Sequence, residues 1–397
     1  MRTLVIGAAG QIGAFTVQDL VEHGKADVIG ADRKLEPLKH AMTDVKMGDK
    51  IAMVELDAEN RADLVKAIKG ERIDTVVNCA WYQTNLGVMD ACVKAGAHYT
   101  DLGGLFDTTL KQLEHNNEWK DAGLNATIGL GSTPGLTNVA AAAGAAKLEK
   151  VDTINIYCSW GNTLPLKEAG WPGYSIRTAL DEFTQEPVMW LNGRHAKQPV
   201  LSGETQVTME PPVGKVLAYY VKHSEPATLG QFIGKDCRNV TFRIGFPETD
   251  LATFKTLRSL GFNDTEGIQF GETKISPLDY LTAMHHRGIA RIRHEAPPSE
   301  EYEYDAFKID VFGTYKETSA IVTYNIITWN DPENGVPSSR DTSAPPAVAA
   351  CWQSAGKIKD AGVFPPEATV SPDEFFREMG KRKIRVEERF TETRRFY

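Results

Sequence analysis

The run Gly7-Ala-Ala-Gly10-Gln-Ile-Gly13 stands directly after the apolar segment Thr3–Ile6 and opens a helical pattern over Gln11–His23. Glycines at this spacing let the chain turn tightly and let backbone amides approach a pyrophosphate. The helix N-terminus adds unsatisfied N–H groups and about half a positive charge. Gly7, Gly10, Gln11, Ile12 and Gly13 are therefore the expected cradle for a dinucleotide, although the same glycines could do no more than cap a helix.

Asp32 ends the next predicted strand about 20 residues further on, where a carboxylate accepts hydrogen bonds from ribose hydroxyls. A carboxylate there repels a 2′-phosphate and favours NAD. Arg33 beside it can stack on adenine or pair with that phosphate, so NADP stays open. Asp57, closing the third strand, either contacts adenine or caps the helix that follows. Asn78, Cys79 and Ala80 close the fourth strand and are expected to line the nicotinamide side through their backbone.

Around these residues, short apolar runs alternate with longer helical segments: Asp27–Gly30, Ile51–Leu56 and Arg61–Lys69, Thr75–Asn78 and Gly87–Ala95. This alternation marks βαβ units and a parallel sheet. Two more strands, His98–Asp101 and Asn125–Gly129, flank a helix predicted over Thr108–Ala122 and bring the sheet to about six. After Pro134 the pattern changes. An alanine-rich helix (Val139–Leu148) leads to a strand, a Gly/Pro/Trp-broken stretch, and the alternating runs Ala306–Phe312 and Ala320–Thr328, which predict an antiparallel hairpin.

The expected fold class is thus α/β, with a Rossmann doubly wound parallel sheet in residues 1–133 and an α+β domain in 134–342. Residues 343–397, whose helix is predicted over Pro345–Lys357, are expected to pack back on the Rossmann domain.

Composition excludes several classes. With 42% hydrophobic and 24% charged residues the chain reads as ordinary globular protein. A formal net charge of -9 argues against nucleic acid and anionic membrane as partners. The 5 cysteines form no C-x-x-C pair, which suits neither a disulfide framework nor a zinc site, and no metal is expected. No leader pattern opens the sequence and no apolar run is long enough to span a membrane, so cytoplasm is the expected location.

Other chemistries lack their motifs. The only Tyr-x-x-x-Lys match, Tyr304 to Lys308, falls in a predicted strand rather than on a helix face. No Gly-Lys-Ser/Thr phosphate loop, Gly-x-Ser-x-Gly elbow or His-Glu-x-x-His occurs.

Taken together, the glycine fingerprint, the stretches Val77–Asn85, Tyr99–Gly104 and Gly131–Asn138, and the closing segments Thr328–Asp331 and Gly362–Glu367 resemble the saccharopine dehydrogenase family. The resemblance is nearest its single-chain amino-acid members, such as lysine 6-dehydrogenase. It implies NAD(P)-linked oxidation of a C–N bond, or the reverse imine reduction, on a small amine or amino acid. It also implies a second domain carrying substrate contacts and a homodimer interface.

Asp101, Tyr82 and Tyr99, at the ligand edge of the sheet, are the expected catalytic residues, with Asp101 as proton acceptor or else a turn cap. An ammonium and a carboxylate need opposite charges, so Glu168 and Glu225 are expected on the amine, Arg177, Lys167 or His223 on the carboxylate, and Tyr174 nearby. Two alternatives stand beside this reading: a dinucleotide-binding sensor without turnover, and an oxidoreductase acting on a hydroxyl group.

Overall fold

Six strands of the amino-terminal half run parallel: β1 (Arg2–Ile6), β2 (Asp27–Asp32), β3 (Ala52–Glu55), β4 (Thr75–Asn78), β5 (His98–Asp101) and β6 (Asn125–Thr127). The structure, a computed structural model, describes residues 1–163, 175–245, 248–295, 300–393 and 396. The helices between these strands are α1 (Gln11–Glu22), α2 (Leu35–Asp44), α3 (Arg61–Gly70), α4 (Asn85–Ala95), α5 (Leu105–Glu114) and α6 (Asn116–Asp121). The single helix predicted over Thr108–Ala122 is thus two, separated at His115.

The chain leaves this domain through α7 (Leu136–Ala146), whose alanines and glycine let it lie against the second sheet. A Cβ on Gly144 would come within 2.9 Å of Val311. The second domain then forms β7 (Lys150–Asn162), α8 (Ile176–Thr184), β8 (Val188–Leu191), β9 (Arg194–Lys197), β10 (Thr205–Thr208), β11 (Lys215–Tyr220), α9 (Glu225–Phe232) and β12 (Asn239–Gly245). An excursion of α10 (Glu248–Ser259), β13 (Ile268–Phe270), β14 (Thr273–Ile275) and α11 (Pro277–Glu295) precedes the long hairpin β15 (Glu303–Tyr315) and β16 (Thr318–Trp329). Lys316 and Glu317 both take left-handed φ (48° and 61°), which matches strand twist and lets pairing continue to Tyr315 and Thr318.

The closing residues are α12 (Arg340–Ser354), β17 (Gly362–Phe364), α13 (Pro366–Thr369), α14 (Pro372–Lys381) and β18 (Arg385–Glu392). They divide between the two bodies. α12 packs on α1 and strand β17 extends the parallel sheet beside β6, giving the order β17-β6-β5-β4-β1-β2-β3. β18 instead completes the second sheet, β10-β11-β12-β7-β15-β16-β18, because the outer edge of β16 is otherwise open to backbone pairing.

Alternation along β7 and β15 sets the inner face of this second sheet. Ile154, Ile156 and Cys158 stand opposite Val311, Ile309 and Phe307 in one buried core. Among the described residues no helix is long and apolar enough to cross a membrane.

A buried ion pair ties the end of the chain to the nucleotide domain. Arg382 donates from Nε and Nη2 to both carboxylate oxygens of Asp19 on α1, at 2.5 and 2.8 Å. Removing the cation strands a carboxylate whose side chain is only 10% exposed. Arg382→Ala is expected to cost about 3–5 kcal/mol in a urea unfolding titration, and the double variant Asp19→Asn/Arg382→Met to recover most of that loss.

Candidate active site

The glycine loop is shaped by its own crowding. Gly7 takes φ +78°, and a Cβ there would lie 2.7 Å from the Ala80 amide nitrogen, so loop and β4 end share one closely packed corner. A Cβ on Gly13 would press into the Gly7 carbonyl, whereas one on Gly10 would sit 3.2 Å from it. Helix α1 begins at an extended Gly10 with no side-chain cap and no acid in its first turn. Its N–H groups are left for an anion, and the residues present fit a dinucleotide phosphate.

Asp32 receives the Ala9 amide (3.0 Å) and the Arg33 amide (2.8 Å), which holds the carboxylate at the mouth of that loop. Arg33 and Asp57 are exposed at the same edge. The cap of α3 is Asn60, whose side chain accepts from the Asp63 amide, and so Asp57 is not needed for that role. Gln11 donates to Ser339 (3.0 Å) at the start of α12. Asn78 is buried and donates to Thr84 and Asn85, fixing the turn Tyr82–Thr84, and the Cys79 thiol faces Thr16 at 3.6 Å.

The three residues expected to carry the chemistry occupy unlike places. Asp101 is fully buried. Its Oδ1 accepts from the amides of Gly103 (2.9 Å) and Gly129 (2.7 Å), and its Oδ2 from the Tyr99 hydroxyl (2.9 Å) and Gln112 (2.5 Å). Four donors occupy the four lone-pair positions of a carboxylate, so Asp101 fastens loops rather than facing a substrate proton. Tyr99, also fully buried, lies in the Rossmann core against Trp119 and does not reach the cleft.

Tyr82 does bridge to the second domain, donating to Asp181 of α8 at 2.9 Å. Burial and the Asp181 charge push its phenol above the ordinary range, so it stays a donor.

From the second domain, His223 stacks on Phe242 at 4.0 Å, its Nδ1 bonded to Glu225 and its Nε2 3.7 Å from Glu182. Burial works against the His223 proton, but the Glu225 and Glu182 carboxylates outweigh it and hold the imidazole above its ordinary value. Glu225, with no exposed surface, also accepts from Thr133 and from Thr137 (3.2 Å), so the loop leaving the Rossmann sheet orients it. Asn138 donates to Glu367 (2.9 Å), whose carboxyl is pushed up to about 7 by burial.

The Arg177 guanidinium lies over the Trp81 ring at 5.1 Å and pairs with Asp279. Lys167, Glu168 and Tyr174 lie outside the described residues. The structure therefore brings together His223, Glu225, Arg177 and Tyr82 around α8.

Sequence reasoning missed Glu182, Asp305, Asp341 and Glu367. Burial raises the Cys158 thiol first, and the charges of Asp305, Asp341, Glu182 and Glu225 raise it further. A signal existed for two of them. Glu182 sits on the same buried helix face as Ala179 and Phe183, and Asp305 takes an inward position of the β15 alternation.

Residues 3–127 match the family model described as the saccharopine dehydrogenase NADP binding domain, and residues 131–384 the model of the saccharopine dehydrogenase C-terminal domain. Carboxyaminopropylagmatine dehydrogenase of Synechocystis sp. is 24% identical over 96% of this chain and 95% of its own length. Carboxynorspermidine synthase of Vibrio cholerae is 26% identical over 69% of this chain and 71% of its own. Among solved structures, saccharopine dehydrogenase (L-Glu forming) from Saccharomyces cerevisiae aligns with a TM-score of 0.73 at 14% identity, covering 98% and 99% of the two chains. That likeness establishes the shared fold.

The crowded Gly13 corner gives a direct test of the cradle. Gly13→Ala is expected to weaken dinucleotide binding at least about tenfold in a fluorescence titration and to destabilise by about 1–3 kcal/mol through overpacking. Gly10→Ala, whose Cβ would meet the same carbonyl at a tight but less crowded 3.2 Å, should cost less stability than Gly13→Ala.

Proposed function

Because the chain belongs to the saccharopine dehydrogenase family, we propose that its substrate is a carboxylated amine whose C–N bond is oxidised to an imine or formed by imine reduction. Family membership makes it an NAD(P)-dependent oxidoreductase. Two relatives are named for carboxylated polyamine compounds, which is the class of amine the present site suits. The observation that carries the reading is the buried imidazole clamped between Glu182 and Glu225 at the domain junction.

The bound dinucleotide would supply hydride transfer to or from the carbon bearing nitrogen. The chain's own residues do the rest. Gly7, Gly10 and Gly13 with the α1 N-terminus would hold the phosphates, and Asp32 would take the ribose hydroxyls. His223 carries a proton at Nε2 for the substrate nitrogen, while Glu225 fixes Nδ1 and stabilises the charged ring. Glu182 beside Nε2 favours a cationic amine in the same space. Arg177 supplies the fork for a carboxylate, and the Tyr82–Asp181 bond holds α8 across the cleft. Asp101 sets the loop positions behind them. A homodimer is supported by the exposed apolar side chains Leu260, Ile268 and Phe270 of the second domain.

Imine reduction consumes the His223 proton, so activity in that direction is lost as pH rises through the raised imidazole value. Glu225→Gln removes the charge that holds the proton and is expected to move this alkaline limb to lower pH. A pH profile of kcat/KM for imine reduction, followed by oxidation of the reduced cofactor, measures it; an unmoved limb would remove His223 from the proton transfer. In the oxidative direction, carboxynorspermidine and carboxyaminopropylagmatine should reduce the cofactor. Turnover of plain alcohols alone would make the chain a hydroxyl oxidoreductase, and dinucleotide binding without any turnover would leave a sensor.

The cofactor preference follows from Asp32. NAD is expected to bind more tightly than NADP in wild type, and Asp32→Ala to weaken NAD selectively, as read by titration of each dinucleotide. A wild-type preference for NADP would assign the phosphate to Arg33.

A further inference from the structure

Resting on the carboxylated-amine reading, we propose that Gln185 is a positioning residue for that reaction, the central link of a polar clasp that closes the second domain onto the nicotinamide end of the first. The clasp is a continuous chain of side chains. The Tyr82 hydroxyl donates to one oxygen of Asp181 (2.9 Å) and Gln185 Nε2 to the other (3.1 Å). Gln185 Oε1 accepts from Lys222 (2.9 Å), and Lys222 in turn pairs with Asp107.

Both feet of this chain stand on the first domain. Tyr82 opens the turn Tyr82–Thr84 after β4, and Asp107 lies in the first turn of α5, after β5. β4 and β5 are paired neighbours, so the feet rise from adjacent strand ends, at the edge of the sheet where a nicotinamide belongs. The three middle links come from the second domain. Asp181 lies on α8, Gln185 is the residue that caps it, and Lys222 stands between β11 and α9.

The charges of its neighbours make an amide the fitting link. Asp181 needs a donor and Lys222 an acceptor, and a primary amide offers one of each, which fixes the way Gln185 faces. Lys222 depends on the bond, because only 11% of its side chain is exposed while its partner Asp107 is 62% exposed to water. A glutamate in this place would still accept from Lys222 but would set a like charge against Asp181, one helical turn away.

The clasp lies directly behind the proton site. His223 is flanked in the chain by Lys222 and Ser224, and both bond to α5, Lys222 through Asp107 and Ser224 through the Thr109 hydroxyl (3.2 Å). Glu182 follows Asp181, and its carbonyl accepts the Lys222 amide at 3.1 Å. The imidazole is therefore moored to α5 and its Glu182 neighbour to the Tyr82 turn. Gln185 joins these two moorings, and so sets how the proton-bearing nitrogen stands relative to the nicotinamide end.

Hydrogen–deuterium exchange on the full-length protein tests the clasp without turnover. Gln185→Ala is expected to speed exchange at least about fivefold in Tyr82–Thr84 and in the first turn of α5, and to leave β1 and α1 unchanged. Gln185→Glu should free Tyr82–Thr84 to the same extent while α5 keeps its protection. Loss of a helix cap alone would loosen only α8. Exchange that rises within α8 only, or nowhere, overturns the clasp, and so does a Gln185→Glu protein whose Tyr82–Thr84 turn stays protected. With carboxynorspermidine as donor, Gln185→Ala should lower kcat for cofactor reduction about 10- to 100-fold, with KM within about threefold and NAD affinity within about twofold of wild type. An unchanged kcat beside the expected exchange would overturn the positioning role. Exchange as expected in a protein whose wild type turns over no carboxylated amine would refute the proposed reaction and leave the clasp standing.

Discussion

Asp101 is the anchor on which the active-site end of the molecule depends. A carboxylate at the end of a central parallel strand collects four hydrogen bonds from β5, from α5 and from the turns at Gly103 and Gly129. Charge-assisted bonds of this kind are about twice as strong as neutral ones, and here they offset part of the burial that still raises the carboxyl. Both turn glycines take positive φ, +121° and +68°, and Pro134 packs against each. The loop so fixed delivers Thr133 and Thr137 to Glu225, and Glu225 delivers the imidazole. The proton chemistry proposed for His223 in the second domain would thereby be positioned by a buried carboxylate in the first.

The same residue shows how far a sequence can be read. An acid before two glycines at a strand end satisfies the description of a catalytic base and that of an anchor equally well, and only the identity of its donors separates them. Those donors include Gln112 and Gly129, which no local pattern joins to position 101. The glycine fingerprint was legible for the opposite reason: Gly7, Gly10 and Gly13 are required by contacts within a single strand, turn and helix. The parallel sheet was legible from its periodicity, apart from β17, a strand of 3 residues that arrives from the far end of the chain.

Three buried or half-buried acids were hidden by dispersion. Glu182, Asp305 and Asp341 come from α8, β15 and α12, segments that carry other charges as well, so nothing local marks these three. What distinguishes Asp305 is parity: a charge on the buried face of an alternating strand needs a reason, and the reason is at the sheet end where the core stops. His223 and Glu225, two residues apart, came within reach because one turn entering a helix holds both.

Helix α12 draws these threads together, and its sequence explains why it was placed a turn late. Pro345 and Pro346 read as a helix start, where a missing N–H costs nothing. The helix in fact begins at Arg340, so both prolines fall inside it. Neither can donate to the carbonyl four residues back, and the carbonyls of Asp341 and Thr342 are left without their helical partners. The Thr342 side chain bonds both to Asp341 and to Ser132 of the loop after β6. An ordinary helix would satisfy its backbone along this wall. This one carries two prolines in its second turn, while its later turns, buried between α1 and the β4 and β5 strands, keep its first turn in place.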